Sequence, residues 1–150
     1  METVEVDGLQ IAYERAGSGP ALVLLHGYVG DGPTTWRRQL DGLSDEFTVV
    51  AWDAPGAGGS SDPPEQFGLD GYADCLAGFL DRLGLHTVCL AGLSFGGILA
   101  LALQRRHSAK SSALFWPRRM RAGPVRCPQR SPTSAYVRRS PWPTGLHRRS

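Results

Sequence analysis

Apolar residues in this chain fall in short runs divided by turn-forming residues, and the runs alternate between two periods. Thr3–Val6 and Leu9–Glu14 predict two strands joined at Asp7-Gly8, a dipeptide suited to a type I′ turn, where both positions need positive φ. Ala21-Leu22-Val23-Leu24-Leu25 is a continuous apolar run, as expected of a strand buried on both faces. Phe47–Trp52 and Thr87–Ala91 read as two more strands. Between the strands lie helical stripes. Trp36, Leu40 and Leu43 fall at i, i+4, i+7, with a threonine of Thr34-Thr35 as the expected N-cap. Tyr72, Leu76, Leu80 and Leu83 mark a second helix, with Asp70 as N-cap, Arg82 facing the C-terminal dipole and Gly84 as the stop. A third helix is predicted from Phe95 to about His107, and Ser112–Phe115 reads as one further strand.

Strands alternating with helices at this spacing give crossover units and a mostly parallel sheet. The expected fold class is therefore α/β, a mostly parallel sheet with flanking helices, opened by an N-terminal hairpin. Ligands of such sheets bind beyond the C-terminal ends of the strands. Three loops leave those ends: His26-Gly27-Tyr28, Asp53–Ser61 and Gly92–Gly96. The first and last can converge on one site.

The last of these loops carries the sharpest chemistry. An apolar strand ends at Gly92, Ser94 follows two residues later, and Gly96-Gly97 open an apolar helix. This is Gly-x-Ser-x-Gly in strand–turn–helix context, the pattern of a nucleophile elbow. The turn leaves no room for side chains flanking the serine, which accounts for Gly92 and Gly96, and Gly97 lets the helix approach the strand. Backbone N–H groups after the serine then point from a helix N-terminus to where an oxyanion would form.

With these residues in place, the chain resembles the α/β-hydrolase superfamily in its single-domain, esterase-like form. Four features carry the resemblance in order. They are the leading hairpin, His26-Gly27 after a buried strand, Asp53-x-Pro55-Gly56-x-Gly58-x-Ser60 after the next strand, and Gly92-Leu93-Ser94-Phe95-Gly96-Gly97. The resemblance covers residues 1–107 and extends to about residue 116 if Ser112–Phe115 is the family's next strand. It implies Ser94 as nucleophile and the N–H groups of Phe95 and Tyr28 as oxyanion donors. His26 matches a histidine that shapes the oxyanion loop, and Asp53 a loop-organising aspartate; neither matches a triad member. A serine at the elbow separates the chain from the family's epoxide hydrolases and haloalkane dehalogenases, which place an aspartate there. It points to ester, lipid, peptide or C–C hydrolysis, or to a perhydrolase-like reaction. No cofactor and no metal is implied, and the partner of the intact relative is a small acyl or ester substrate.

Charge divides the chain in two. Residues 1–104 hold all fourteen acids against four arginines, a net −10, whereas residues 105–150 hold twelve cations and no acid, a net +12. The family's triad runs Ser, then Asp or Glu, then His, yet no acid follows Asp81 and only His107 and His147 follow Ser94. The predicted helix places His107 on the order of 20 Å from Ser94, and His147 has no strand before it. The triad acid and base are thus expected to be missing.

Residues 117–150 contain nine arginines, six prolines and four serines without apolar periodicity, a composition too poor in apolar residues to offset its ordering entropy. A basic tail for nucleic acid or acidic lipid would more often carry lysine, and Lys110 is the only one. The stretch reads instead as an out-of-frame or aberrant tail after a partial hydrolase domain, with no nucleic-acid or membrane partner expected. The substrate-selecting cap that the resemblance places after the sixth strand has no counterpart here. Stopping after the elbow leaves Thr87–Ala91 or Ser112–Phe115 as an open apolar edge, so aggregation or oligomerisation is expected. Three scattered cysteines, Cys75, Cys89 and Cys127, show no disulfide framework and no metal spacing, consistent with a reducing cytoplasm. The acidic start Met1–Asp7 lacks the apolar core of a signal peptide, and no run reaches transmembrane length.

Overall fold

Ala21–Leu25 (β3), Thr48–Trp52 (β4) and Val88–Gly92 (β5) are almost wholly buried, and they form the parallel centre of a six-stranded sheet. The computed structural model describes residues 1–115. Glu2–Val6 (β1) and Leu9–Ala16 (β2) make the leading hairpin, with φ of 48° at Asp7 and 84° at Gly8, as the Asp-Gly turn requires. β2 then pairs antiparallel with β4, and Ser111–Phe115 (β6) pairs parallel with β5, giving the order β1-β2-β4-β3-β5-β6. β5 is interior, which corrects the expectation that Thr87–Ala91 could be an open edge. Among the described residues β6 is the edge on that side.

Among the described residues three α-helices cover the two faces. Gly32–Leu43 (α1) seals one face, where Trp36 and Leu40 meet Leu22, Leu24, Val49 and Ala51. Gly68–Arg82 (α2) and Phe95–Arg106 (α3) seal the other, where Leu76, Phe79, Leu80, Leu99 and Leu103 meet Val23, Leu25, Val50, Trp52 and Leu90. Alternate residues of one strand thus serve opposite cores, the reason these strands read as unbroken apolar runs.

Helix ends depart from the expectations in two places. Asp31, not a threonine, caps α1: its carboxylate accepts the Thr34 N–H at 2.7 Å, and Pro33 fills a first-turn position that needs no N–H donor. Asp70 does not cap α2. The helix begins earlier, after Phe67, without a side-chain cap, and Asp70 in its first turn pairs with Arg106 instead. The predicted stop at Gly84 is present: Gly84 has φ 69°, its N–H reaches the Asp81 carbonyl, and the Leu85 N–H reaches the Leu80 carbonyl, the two bonds of a Schellman end.

Cys75 is free and buried, and burial, then Asp7, pushes its thiol up to about 11. Cys89 is disulfide-bonded, although the scattered spacing of the three cysteines shows no disulfide framework. No helix among the described residues is long and apolar enough to cross a membrane. The arginine-rich stretch 117–150 lies outside the described residues.

Phe79 ties the α2–α3 core to the sheet. It is fully buried, edge-on to Tyr13 with ring centroids 5.4 Å apart, and 5.7 Å from Trp52. Phe79→Ala should cost about 3–5 kcal/mol, read as a lowered urea midpoint with an unchanged transition slope.

Candidate active site

The end of β5 and the start of α3 meet in a turn that only glycine permits. A Cβ on Gly92 would lie 2.4 Å from the Gly96 carbonyl carbon, and one on Gly96 would lie 2.2 Å from the Leu25 carbonyl oxygen. The Leu93 N–H donates to that same Leu25 oxygen at 2.9 Å, pinning the turn to the end of β3. Between the two glycines Ser94 takes φ 51°, ψ −113°, outside the regions an ordinary residue occupies, a strain of roughly 1–3 kcal/mol. Its carbonyl accepts the Gly97 and Ile98 N–H groups at 2.9 and 3.2 Å, starting α3. Its side chain stands exposed at the helix N-terminus.

The loop after β3 lies directly opposite. A Cβ on Gly27 would sit 3.8 Å from the Ser94 Cβ, so one added methyl group would bring this loop into van der Waals contact with the serine. The next residue, Tyr28, projects into solvent, 84% exposed. Its ring meets that of Phe95 edge-on at 6.2 Å. Neither the Tyr28 nor the Phe95 N–H has a protein acceptor among the described residues.

Two buried polar residues shape these loops. His26 is 3% exposed; its Nε2 accepts the Ala54 N–H at 3.0 Å and its Nδ1 lies 2.6 Å from the Gly27 carbonyl. Accepting at Nε2 places the proton on Nδ1, which donates to Gly27. Both ring nitrogens are therefore committed to backbone. Asp53 is fully buried, and its carboxylate accepts the Gly32 N–H at the start of α1 and the Gly59 N–H in the 53–61 loop, each at 2.8 Å. Gly58 passes so close that a Cβ there would overlap Asp53 Oδ2. Ser60 completes the brace: its hydroxyl donates to the Asp53 carbonyl and accepts the Ala12 N–H from β2.

One linking residue gave no sign of its role in the sequence. Tyr72 sits on the expected α2 stripe, yet its hydroxyl donates to the Pro55 carbonyl at 3.3 Å and its ring meets Phe95 at 5.4 Å. Burial, then the neighbouring Tyr28 and Cys75, pushes that hydroxyl above its ordinary value, so it remains a donor. A helical period predicts which face a tyrosine occupies but carries no signal for the loop its hydroxyl meets.

The fold and this corner permit comparison with known proteins. The model of the alpha/beta hydrolase fold matches residues 20–134. The chain belongs to the α/β-hydrolase family. It is 40% identical over 109 residues to the human serine hydrolase BPHL, covering 69% of this chain and 38% of that protein. It is 35% identical over 118 residues to bifunctional epoxide hydrolase 2 of Sus scrofa, covering 77% and 20%. Among solved structures, a thermophilic esterase from Thermogutta terrifontis aligns with a TM-score of 0.73 at 32% identity, over 77% of this chain and 45% of that one. The epoxide hydrolase VrEH1 from Vigna radiata aligns at 0.72 and 27%, over 77% and 38%. The chain thus spans between 20% and 45% of the length of these α/β-hydrolases.

No described histidine reaches the serine as a free base. His86 is exposed in the loop entering β5, at the opposite end of that strand from the elbow. His107 follows the last residue of α3, about 18 Å along the helix axis from its start. Its Nε2 lies 2.7 Å from Asp74 Oδ1, while Arg106 forks onto Asp74 and reaches Asp70. His147 lies outside the described residues. Among the described residues no cluster of three or more His, Cys, Asp or Glu is disposed to hold a metal.

Two predictions follow from these contacts. Asp53→Ala strands two backbone donors, at about 1–3 kcal/mol each, so the urea midpoint should fall sharply; Asp53→Asn, which keeps one acceptor, should fall less. Asp74 is held below the ordinary carboxylate range, first by Arg106 and then by His107. A depressed folded-state pKa contributes stability above the unfolded value and loses it as pH falls through the folded one. The gap in urea midpoint between the wild type and Asp74→Asn should therefore be open at neutral pH and close below pH 3.8.

Proposed function

We propose that Ser94 is the nucleophile of a serine-hydrolase site for acyl esters, and that the base and acid of that site are not held by this chain. The observation that carries the reading is the strained Ser94 backbone, φ 51°, at the N-terminus of α3, with Gly27 of the loop after β3 beside it. A hydroxyl so placed can attack an ester carbonyl from the helix end. The Phe95 and Tyr28 N–H groups, neither of them spent on a described protein acceptor, are the donors that would hold the tetrahedral oxyanion. Water then cleaves the acyl-enzyme. A serine at this position favours the esterase and serine-hydrolase relatives over the epoxide hydrolases, whose elbow residue in this family is an aspartate.

The base must take the hydroxyl proton within about 3 Å, oriented by a third group. His26 has both nitrogens engaged, and His107 is bonded to Asp74 at the far end of α3. No acid follows Asp81. These facts support a second reading of the chain by itself, as a pseudo-hydrolase that keeps the elbow and lacks turnover. The composition break supports reading residues 117–150 as translated out of frame. The nucleotide sequence past codon 116 tests this: another frame that continues with a strand, a cap and a late Asp…His confirms it, and three frames without one refute it.

Loss of the serine or histidine of a comparable triad costs roughly a millionfold in kcat. Turnover of p-nitrophenyl acetate by the wild type, Ser94→Ala and His147→Ala should therefore lie near the uncatalysed rate for all three. A wild-type rate a hundredfold or more above Ser94→Ala would show that a base is in place.

A further inference from the structure

The N–H of Phe95 is not aimed by any hydrogen bond of its own. The backbone bonds of the elbow run from Leu93, Gly96, Gly97 and Ile98, and among the described residues none runs from Phe95. A donor left free for a ligand must be held by something else. The peptide between Ser94 and Phe95 turns on Ser94 ψ and Phe95 φ. Ser94 ψ is −113°, in a sparsely populated region that relaxes unless its surroundings hold it. The Phe95 side chain is the remaining grip on this peptide, because rotamer and backbone angles are coupled.

Rings hold that side chain. Tyr72 meets Phe95 edge-on, with centroids 5.4 Å apart and planes at 83°, and Tyr28 meets it at 6.2 Å and 85°. Tyr28 stands in solvent, whereas Tyr72 is half-buried and braced twice over. Phe67 packs on the Tyr72 ring at 5.0 Å. It lies across Gly71, where an added Cβ would come within 3.0 Å of the Phe67 ring. The Tyr72 hydroxyl donates to the carbonyl of buried Pro55 in the loop after β4. A leucine at this position would satisfy the apolar stripe of α2 but could make neither the edge contact nor the hydroxyl bond.

We propose that Tyr72 is a positioning residue: through the Phe95 ring it fixes the direction of the Phe95 N–H, so that the oxyanion donor is aimed before a substrate arrives. This role rests on the reading of Ser94 as the nucleophile.

Formation of a Ser94 adduct with methylboronic acid tests the two separately. The Ser94 oxygen gives an electron pair to boron, one B–O bond forms, no bond to boron breaks, and the hydroxyl proton passes to the buffer. The product is a four-coordinate boronate anion, a stand-in for the tetrahedral oxyanion. Methylboronic acid carries no ring that could stack on Tyr72 itself. Boron-11 NMR with the full 150-residue chain at one fixed pH reads the fraction bound, and circular dichroism confirms that each variant is folded. The wild type should form the adduct and Ser94→Ala should not. Tyr72→Leu should weaken it about tenfold, the upper worth of one edge-on aromatic pair. Tyr72→Phe keeps the ring and should lose only about threefold. Leu83→Ala, which removes packing at the C-terminal end of α2, should leave the affinity unchanged and so separates aiming from a general loss of stability. A wild type that binds no better than Ser94→Ala refutes the nucleophile reading and the role of Tyr72 with it. A wild-type adduct that Tyr72→Leu leaves at full affinity, or that Leu83→Ala weakens as much, overturns the role of Tyr72 alone. Should Tyr72→Leu fail to fold, Tyr72→Phe decides: the threefold loss supports the role and an unchanged affinity overturns it.

Discussion

The structure turns on a backbone contact at which no side chain fits. The first turn of α3 lies against the end of β3 so closely that a Cβ at Gly96 would overlap the Leu25 carbonyl oxygen, and Gly92 faces Gly96 under the same restriction. With both flanks fixed, the residue between them has one way to turn from strand to helix, and Ser94 adopts positive φ. The contact also decides what the serine faces. Because α3 is pressed to the end of β3, the loop leaving β3 passes beside Ser94 at Gly27.

A strained residue persists only where its surroundings over-determine it. Here the anchoring is apolar below and polar above. Leu99 and Leu103 sink the inner face of α3 into the core, each contributing about 1.5–3 kcal/mol, which offsets the strain at Ser94. Above the sheet, Asp53 and His26 spend their hydrogen bonds on backbone groups of the loops after β3 and β4. A buried carboxylate with both oxygens bonded to N–H groups acts as a rivet, and its neighbour Gly58 is glycine because any larger residue would displace it. Tyr72 joins the same assembly from α2, so the loops after β3, β4 and β5 are cross-linked before any ligand arrives.

Much of this was legible in the residues. The run Ala21–Leu25 matches β3 end to end, since a strand buried on both faces has no polar position to blur its limits. The elbow was legible because its glycines answer a steric demand that few other sequences satisfy. The helix starts were not. Asp31 and Thr34-Thr35 are all competent caps, and the winner was set by Pro33, whose fixed φ suits the first turn after Asp31. Asp70 was drawn away from the α2 N-terminus by Arg106, 36 residues later, a tertiary partner that no local pattern encodes. The reach of Tyr72 to Pro55 was hidden for the same reason. No acid follows Asp81, and His107 and His147 are the histidines after Ser94, which is why no residue pattern assigned a base or an acid to the site.

The central proposal is that residues 1–107 hold Ser94 in the attacking geometry of a hydrolase site whose base and acid this chain does not supply. A hybrid tests it most directly. Residues 1–107 are joined to the C-terminal remainder of the Thermogutta terrifontis esterase, which aligns over 77% of this chain, and p-nitrophenyl acetate hydrolysis is followed before and after Ser94→Ala. The account predicts turnover far above the uncatalysed rate, falling by at least about a thousandfold in Ser94→Ala. A folded hybrid without activity, or one whose activity survives Ser94→Ala, would contradict it.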